Sequence, residues 1–138
     1  MRSMGSLSIG EVAKRAGLRT SAVRYYESIG LLPAPERKSG QRRFDTSVLH
    51  RLELIRVAQG MGFTLKEIKT LFSEYPPHTR VSTRWKTLTA SKIPEIDGLI
   101  ARAQKQKGWL QLLAHCECTD LDTCAGTVRQ ARTSLGQL

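Results

Sequence analysis

Apolar residues recur at helical spacing from residue 9 to residue 114, broken at a few well-marked points. Ile9, Val12, Ala13 and Ala16 stand three and four apart, the repeat that gathers side chains on one face of a helix. Ser8 and Glu11 form a capping-box sequence at its start: the Ser8 oxygen accepts from the Glu11 N–H and the carboxylate accepts from the Ser8 N–H. After a tight Ala16-Gly17-Leu18 turn, a second short helix is predicted, capped by Thr20 and running through Glu27, the element spanning Thr20 to Ser28. It turns Ala22, Val23 and Tyr26 inward and leaves Arg19, Ser21, Arg24 and Tyr25 outward. The stretch Arg37-Lys38-Ser39-Gly40-Gln41-Arg42-Arg43 then reads as two strands with a basic tip.

Two more helices follow. Asp45 is expected to cap the first, with Val48, Leu49, Leu52, Ile55 and Val57 apolar and Gly60 and Gly62 ending it. Thr64 and Glu67 repeat the capping box ahead of the second, in which Leu65, Ile68, Leu71 and Phe72 are expected to be buried. Pro76-Pro77 breaks the chain. From about Val81 to Leu113 a long helix is expected, where Ile93, Ile96, Ile100, Ala103, Lys107, Leu110 and Ala114 alternate steps of three and four in a heptad seam. One helix cannot bury such a seam by itself. It needs the same helix of a second copy, or it must fold back on the N-terminal part. Pro94 is expected to kink or break the helix, and Gly98 and Gly108 to weaken it. Leu121 and Val128 mark a short helical turn after it.

The pattern therefore predicts a mainly α protein in three parts. Residues 8–75 hold two short helices, a basic two-stranded tip and two supporting helices; 79–114 is a long helix; 115–138 is a loop with a short C-terminal helix. Met1 to Gly5 is read as an upstream start or a tail and set aside from the fold. The order of parts in the first region is that of a winged helix-turn-helix, in which a short helix enters the major groove of DNA and a β-wing grips the backbone. An outward Arg19 or Arg24 reaches phosphates or a guanine edge, and the hydroxyls of Thr20, Ser21 and Tyr25 suit phosphate oxygens. Lys38, Arg42 and Arg43 would grip flanking phosphates from the wing.

Charge strengthens that reading. The 138 residues carry 22 Lys and Arg against 12 Asp and Glu, a net +10, with basic residues in excess on both sides of Tyr75. Such a balance favours a polyanionic partner and salt-sensitive binding. No apolar run reaches membrane-spanning length and no hydrophobic leader opens the chain, so a cytoplasmic protein without a membrane partner is expected. Enzyme constellations are lacking: there is no Gly-rich phosphate loop and no Ser-His-Asp arrangement, and His50 and His78 stand alone.

All three cysteines fall in His115-Cys116-Glu117-Cys118-Thr119-Asp120-Leu121-Asp122-Thr123-Cys124. Thiolates so clustered repel one another unless a cation or a disulfide neutralises them. Cu(I), Zn(II), Hg(II), Pb(II) or an iron–sulfur cluster fits three convergent thiolates, and His115 is an additional candidate ligand. Two rival classes use only part of these features. A cytosolic metal-buffering or redox protein needs the thiols but no wing; an architectural DNA protein needs the wing but no thiols.

The run RYYESIGLLPAPER (24–37), the basic QRRF that follows it, and Gly62-Phe63-Thr64-Leu65-Lys66-Glu67-Ile68 leading into a long helix resemble the MerR family of bacterial transcription regulators. The resemblance covers nearly the whole chain. It implies a homodimer paired through antiparallel long helices, with Ile93, Ile96, Ile100, Ala103 and Leu110 at the interface. It also implies an inverted-repeat promoter site on double-stranded DNA, RNA polymerase at that promoter, and effector binding at the cysteine loop that twists the dimer and distorts an overlong spacer. Cys116 and Cys124 match the spacing of the copper-responsive branch, and Ser82 aligns with a Ser of that branch where regulators of divalent ions carry a third Cys. Cys118 is an extra thiol. The last three cysteines of the iron–sulfur redox branch, C-x2-C-x-C-x5-C, match Cys116, Cys118 and Cys124, but the first position falls on Leu113; Trp85 also resembles that branch. The expected effector is a thiolate-bound metal ion, Cu(I)- or Zn(II)-like, on Cys116 and Cys124 with Cys118 as third ligand. The alternative is a redox sensor with a [2Fe-2S] cluster or thiol oxidation at the same loop.

Overall fold

The computed structural model of the chain describes residues 5–73 and 75–138; residues 1–4 of the segment set aside as a tail lie outside them. The chain forms two compact units, the first ending at Leu88 and the second running Thr89–Leu138. No helix among the described residues is long and apolar enough to cross a membrane.

The first unit opens with strand β1 (Ser6–Leu7) and helix α1 (Ile9–Ala16). The capping box closes as expected, with the Glu11 N–H donating to Ser8 Oγ at 3.2 Å and the Ser8 N–H to the Glu11 carboxylate at 3.3 Å. Helix α1 ends at Gly17, whose φ of 68° only glycine adopts without strain, and the Leu18 N–H returns to the Ala13 carbonyl. Helix α2 (Thr20–Ser28) starts differently from the expectation. Thr20 is already helical, so its hydroxyl is not the cap; Arg19 occupies the extended cap position without a side-chain bond. A cap needs that extended backbone, which places the cap one residue earlier than its hydroxyl chemistry indicates.

Strands β2 (Glu36–Lys38) and β3 (Gln41–Asp45) form the wing. Ser39 and Gly40 join them with φ of 52° and 78°, the left-handed pair that matches the twist of a two-residue hairpin. Arg37 faces Arg42 and Glu36 faces Arg43 across it, while β1 pairs with the other edge of β3, giving the order β1-β3-β2. Helix α3 (Val48–Gly60) buries Val48, Leu52, Ile55 and Ala58. Val57 lies off that stripe, 52% exposed. Asp45 does not cap α3: its carboxylate accepts from the Ser47 N–H at 2.8 Å, which turns the chain just ahead of the helix. Helix α4 (Leu65–Ser73) carries its capping box through Thr64 and Glu67 and buries Ile68 and Leu71. Phe44 from the wing, Val12 from α1, Val23 from α2 and Ile55 from α3 meet in one core, so the wing and both short helices are fixed to the same support. Trp85 packs edge-on against Phe63, ring centroids 6.0 Å apart.

Helix α5 (Val81–Ala114) runs unbroken through Pro94, so of the kink or break expected there the break does not occur. Proline removes one N–H from the ladder, and this 34-residue helix continues past that loss. In the second unit, α6 (Leu121–Leu135) has 15 residues, longer than the short C-terminal helix expected. Its end folds back on α5: the buried Trp109 indole donates to the Gly136 carbonyl at 3.2 Å, and Lys105 Nζ donates to the Gln137 carbonyl at 3.1 Å. Along the remaining seam, Ile93, Ile100 and Leu110 stay 60%, 51% and 69% exposed.

Candidate nucleic-acid interface and thiol site

Helix α2 and the wing present the candidate DNA surface. Arg19 at the cap and Thr20, Ser21, Arg24 and Tyr25 on α2 are all exposed, and Lys38 is exposed beside the hairpin turn. Arg42 and Arg43 are half-buried and engaged within the protein. Arg42 Nε lies 3.6 Å from the Glu27 carboxylate, so wing and recognition helix are tied by an ion pair. Arg43 donates from Nε to Ser6 Oγ at 3.1 Å and from Nη2 to the Ser6 carbonyl at 2.8 Å, clamping β1 to β3. The sequence pattern places Glu27 only at the end of the second helix and gives it no partner; the structure sets it opposite the wing. A buried-side carboxylate on the helix that precedes two adjacent arginines was the available signal.

The thiol site lies where α5 ends and α6 begins. The sulfurs of Cys116, Cys118 and Cys124 all lie within 4.8 Å of one another. None is in a disulfide; Cys116 is exposed, and Cys118 and Cys124 are half-buried. Cys116 and Cys118 share a hydrogen bond at 2.7 Å, and the Cys118 N–H donates to the Cys116 sulfur at 3.3 Å. The Thr127 hydroxyl sits 3.7 Å from the Cys118 sulfur. These bonds favour one thiolate and resist a second. The Cys116 thiol and the Thr127 hydroxyl hold Cys118 below the ordinary thiol range, while the hydrogen bond to Cys118 pushes Cys116 up.

Asp120 builds the turn that brings the sulfurs together. It caps α6 by accepting from the Thr123 N–H at 2.8 Å and the Thr123 hydroxyl at 2.9 Å, which hold its carboxyl below the usual carboxylate range. That cap sets Cys124 in the first turn of α6, where the helix N-terminus favours negative charge. The Asp120-x-x-Thr123 spacing could have announced this helix start. His115 does not join the sulfurs: its Nδ1 bonds to the Gln111 carbonyl at 2.9 Å. The arrangement can hold a soft cation on three sulfurs; the donor chemistry fits a thiophilic ion.

The chain is similar in sequence and fold to known proteins. Residues 7–75 match the MerR HTH family regulatory protein profile, and residues 49–113 match the MerR DNA-binding profile. The chain is 37% identical over 113 residues to the HTH-type transcriptional regulator PA4778 of Pseudomonas aeruginosa, covering 80% of this chain and 86% of that one. It is 33% identical over 120 residues to the heavy metal-dependent transcription regulator 2 of Rhizobium meliloti, covering 86% and 82%. Among solved structures, the transcription regulator PbrR691 of Ralstonia metallidurans, crystallised in complex with lead(II), superposes with a TM-score of 0.68 at 28% identity, covering 83% and 91%.

Proposed function

The chain belongs to the MerR family of helix-turn-helix regulators, and from that premise we propose that it is a dimeric promoter switch thrown by a thiophilic metal ion. It is a DNA-binding transcription regulator, not an enzyme. In this reading α2 enters the major groove. Arg19 and Arg24 reach base edges or phosphates, and Thr20, Ser21 and Tyr25 hold the backbone. Lys38, with Arg42 and Arg43 behind it, fixes the wing on flanking phosphates. Two copies paired along α5 through Ile93, Ile96, Ile100, Ala103 and Leu110 present two α2 helices to an inverted repeat.

The observation that carries the metal reading is the convergence of three sulfurs within 4.8 Å of one another, two on the loop after α5 and one in the first turn of α6. Relatives named for heavy metals and lead add support. Cys116 and Cys124 are the primary ligands and Cys118 the third. Without a cation, more than one thiolate there is resisted; with one, the loop gains a single preferred geometry. That preference biases a two-state dimer, and the dimer biases the DNA between two conformations.

Metal analysis and a visible spectrum of anaerobically purified protein test the effector class, because an iron–sulfur cluster absorbs visibly and Cu(I) or Zn(II) does not. Cys116→Ser and Cys124→Ser are expected to keep fold and operator affinity while abolishing the transcriptional response to metal. A double variant that still responds would sink the metal reading.

A further inference from the structure

We propose that Cys118 completes the sulfur site within one chain, so that each protomer binds a three-coordinate thiophilic ion without a ligand from its partner. The inference rests on the metal-sensing reading above and adds donor number, stoichiometry and ion class. The three sulfurs already lie within 4.8 Å of one another, in one stretch of a single chain. The Cys118 amide bond to the Cys116 sulfur, at 3.3 Å, shows that the backbone turns both side chains of this Cys-x-Cys pair to the same side. Two harder groups nearby have other partners: His115 Nδ1 bonds to the Gln111 carbonyl, and the Asp120 carboxylate accepts from Thr119 and Thr123. Among the described residues no histidine or carboxylate joins the sulfur group.

A donor set of three sulfurs and nothing else selects its ion. Structural Zn(II) sites take four ligands, so this set is one short for zinc. Soft ions stable with three thiolates alone fit better: Pb(II), Hg(II), or arsenic delivered as arsenite. The reactions balance without any oxidant. Pb(II) and three thiols give a tris-thiolate anion and release three protons to solvent. Arsenite, As(OH)3, exchanges three As–O bonds for three As–S bonds and releases three waters and no protons. In both cases the proton between Cys116 and Cys118 leaves, and their 2.7 Å contact opens onto the ion.

The test titrates the full-length chain anaerobically with Pb(II) and, separately, with arsenite, counting free thiols and released protons. It also uses a mixed dimer of one wild-type chain and one chain with all three cysteines changed to serine. One ion per wild-type chain with all three thiols masked is expected, with proton release for Pb(II) only, and the mixed dimer should bind one ion at wild-type affinity. Cys118→Ser should weaken binding by at least the roughly tenfold that losing even an outer-shell partner costs, and Ser82→Ala should leave it unchanged. Wild-type affinity in Cys118→Ser, or no binding by the mixed dimer, overturns the proposal. If copper or zinc binds at Cys116 and Cys124 but Pb(II) and arsenite do not, the three-sulfur inference falls and metal sensing stands. If no thiophilic ion binds the wild type, the metal-sensing reading itself falls.

Discussion

Arg42 and Arg43 resemble Lys38 in charge but are held differently in the structure. Both arginines are half-buried, one paired with Glu27 and the other bound twice to Ser6, whereas Lys38 is exposed at the wing tip. A phosphate contact and a structural clamp give separable signatures. Lys38→Ala is expected to weaken binding to cognate and random duplexes alike, to lower the salt slope by about one unit, and to leave the melting temperature unchanged. Arg43→Ala should instead cost about 1–2 kcal/mol of stability, because its hydrogen bonds join β1 to the wing. Equal melting temperatures for wild type and Arg43→Ala would remove the clamp. Arg24 stands exposed on α2. If it reads a base edge, Arg24→Ala costs about 1–3 kcal/mol at one position of the half-site. Binding measured against single-base operator variants decides this, and a loss uniform over all of them would make Arg24 a backbone contact.

At the scale of elements, capping chemistry is where the sequence spoke most clearly. Both capping boxes close, because Ser8-x-x-Glu11 and Thr64-x-x-Glu67 satisfy orphan N–H groups locally and need no tertiary context. The hydrogen bonds from Ser8, backbone first and hydroxyl second, hold the Glu11 carboxyl below its usual range. A depressed folded value stabilises above the unfolded pKa and is lost as pH falls through the folded one. The difference in melting temperature between wild type and Glu11→Ala should therefore be open at neutral pH and close in acid, below the ordinary Glu range. A difference that persists into strong acid would contradict the cap. Elements set by distant contacts were less legible. Thr20 and Asp45 have capping side chains, yet the backbone places each outside the cap position. Strand β1 is only Ser6–Leu7, too short to show alternation, and is held by pairing with Phe44 and Asp45. Helix α6 was foreshortened because its apolar residues are sparse; what fixes its end is Trp109, 27 residues earlier, bonding to Gly136. The three cysteines were legible as a cluster, but Asp120, which folds the loop, and Gln111, which holds His115 away, became visible only in three dimensions.

At the scale of the whole molecule, the exposed seam on α5 is the feature a single chain leaves unresolved. Ile93, Ile100 and Leu110 are more than half exposed and share the heptad spacing, while Trp109 on the neighbouring face is already buried against the end of α6. Intrachain packing has therefore used one side of the helix and left the other available. Apolar side chains in that register are stabilised only when a second helix covers them, and a second copy offers the same seam. Ile100→Glu places a carboxylate on this seam. In an isolated chain the change falls on an open surface and should leave helix content unaltered. In a dimer it buries an unpaired charge at two symmetry-related positions, a cost large enough to dissociate the pair. Sedimentation is expected to show dimers for wild type and monomers for Ile100→Glu, with circular dichroism the same for both. Operator binding should collapse with the dimer, since one α2 helix cannot engage two half-sites. A dimer that survives this charge would move the interface off the seam, whereas loss of helix content would mean that Ile100 is needed by the fold of the single chain.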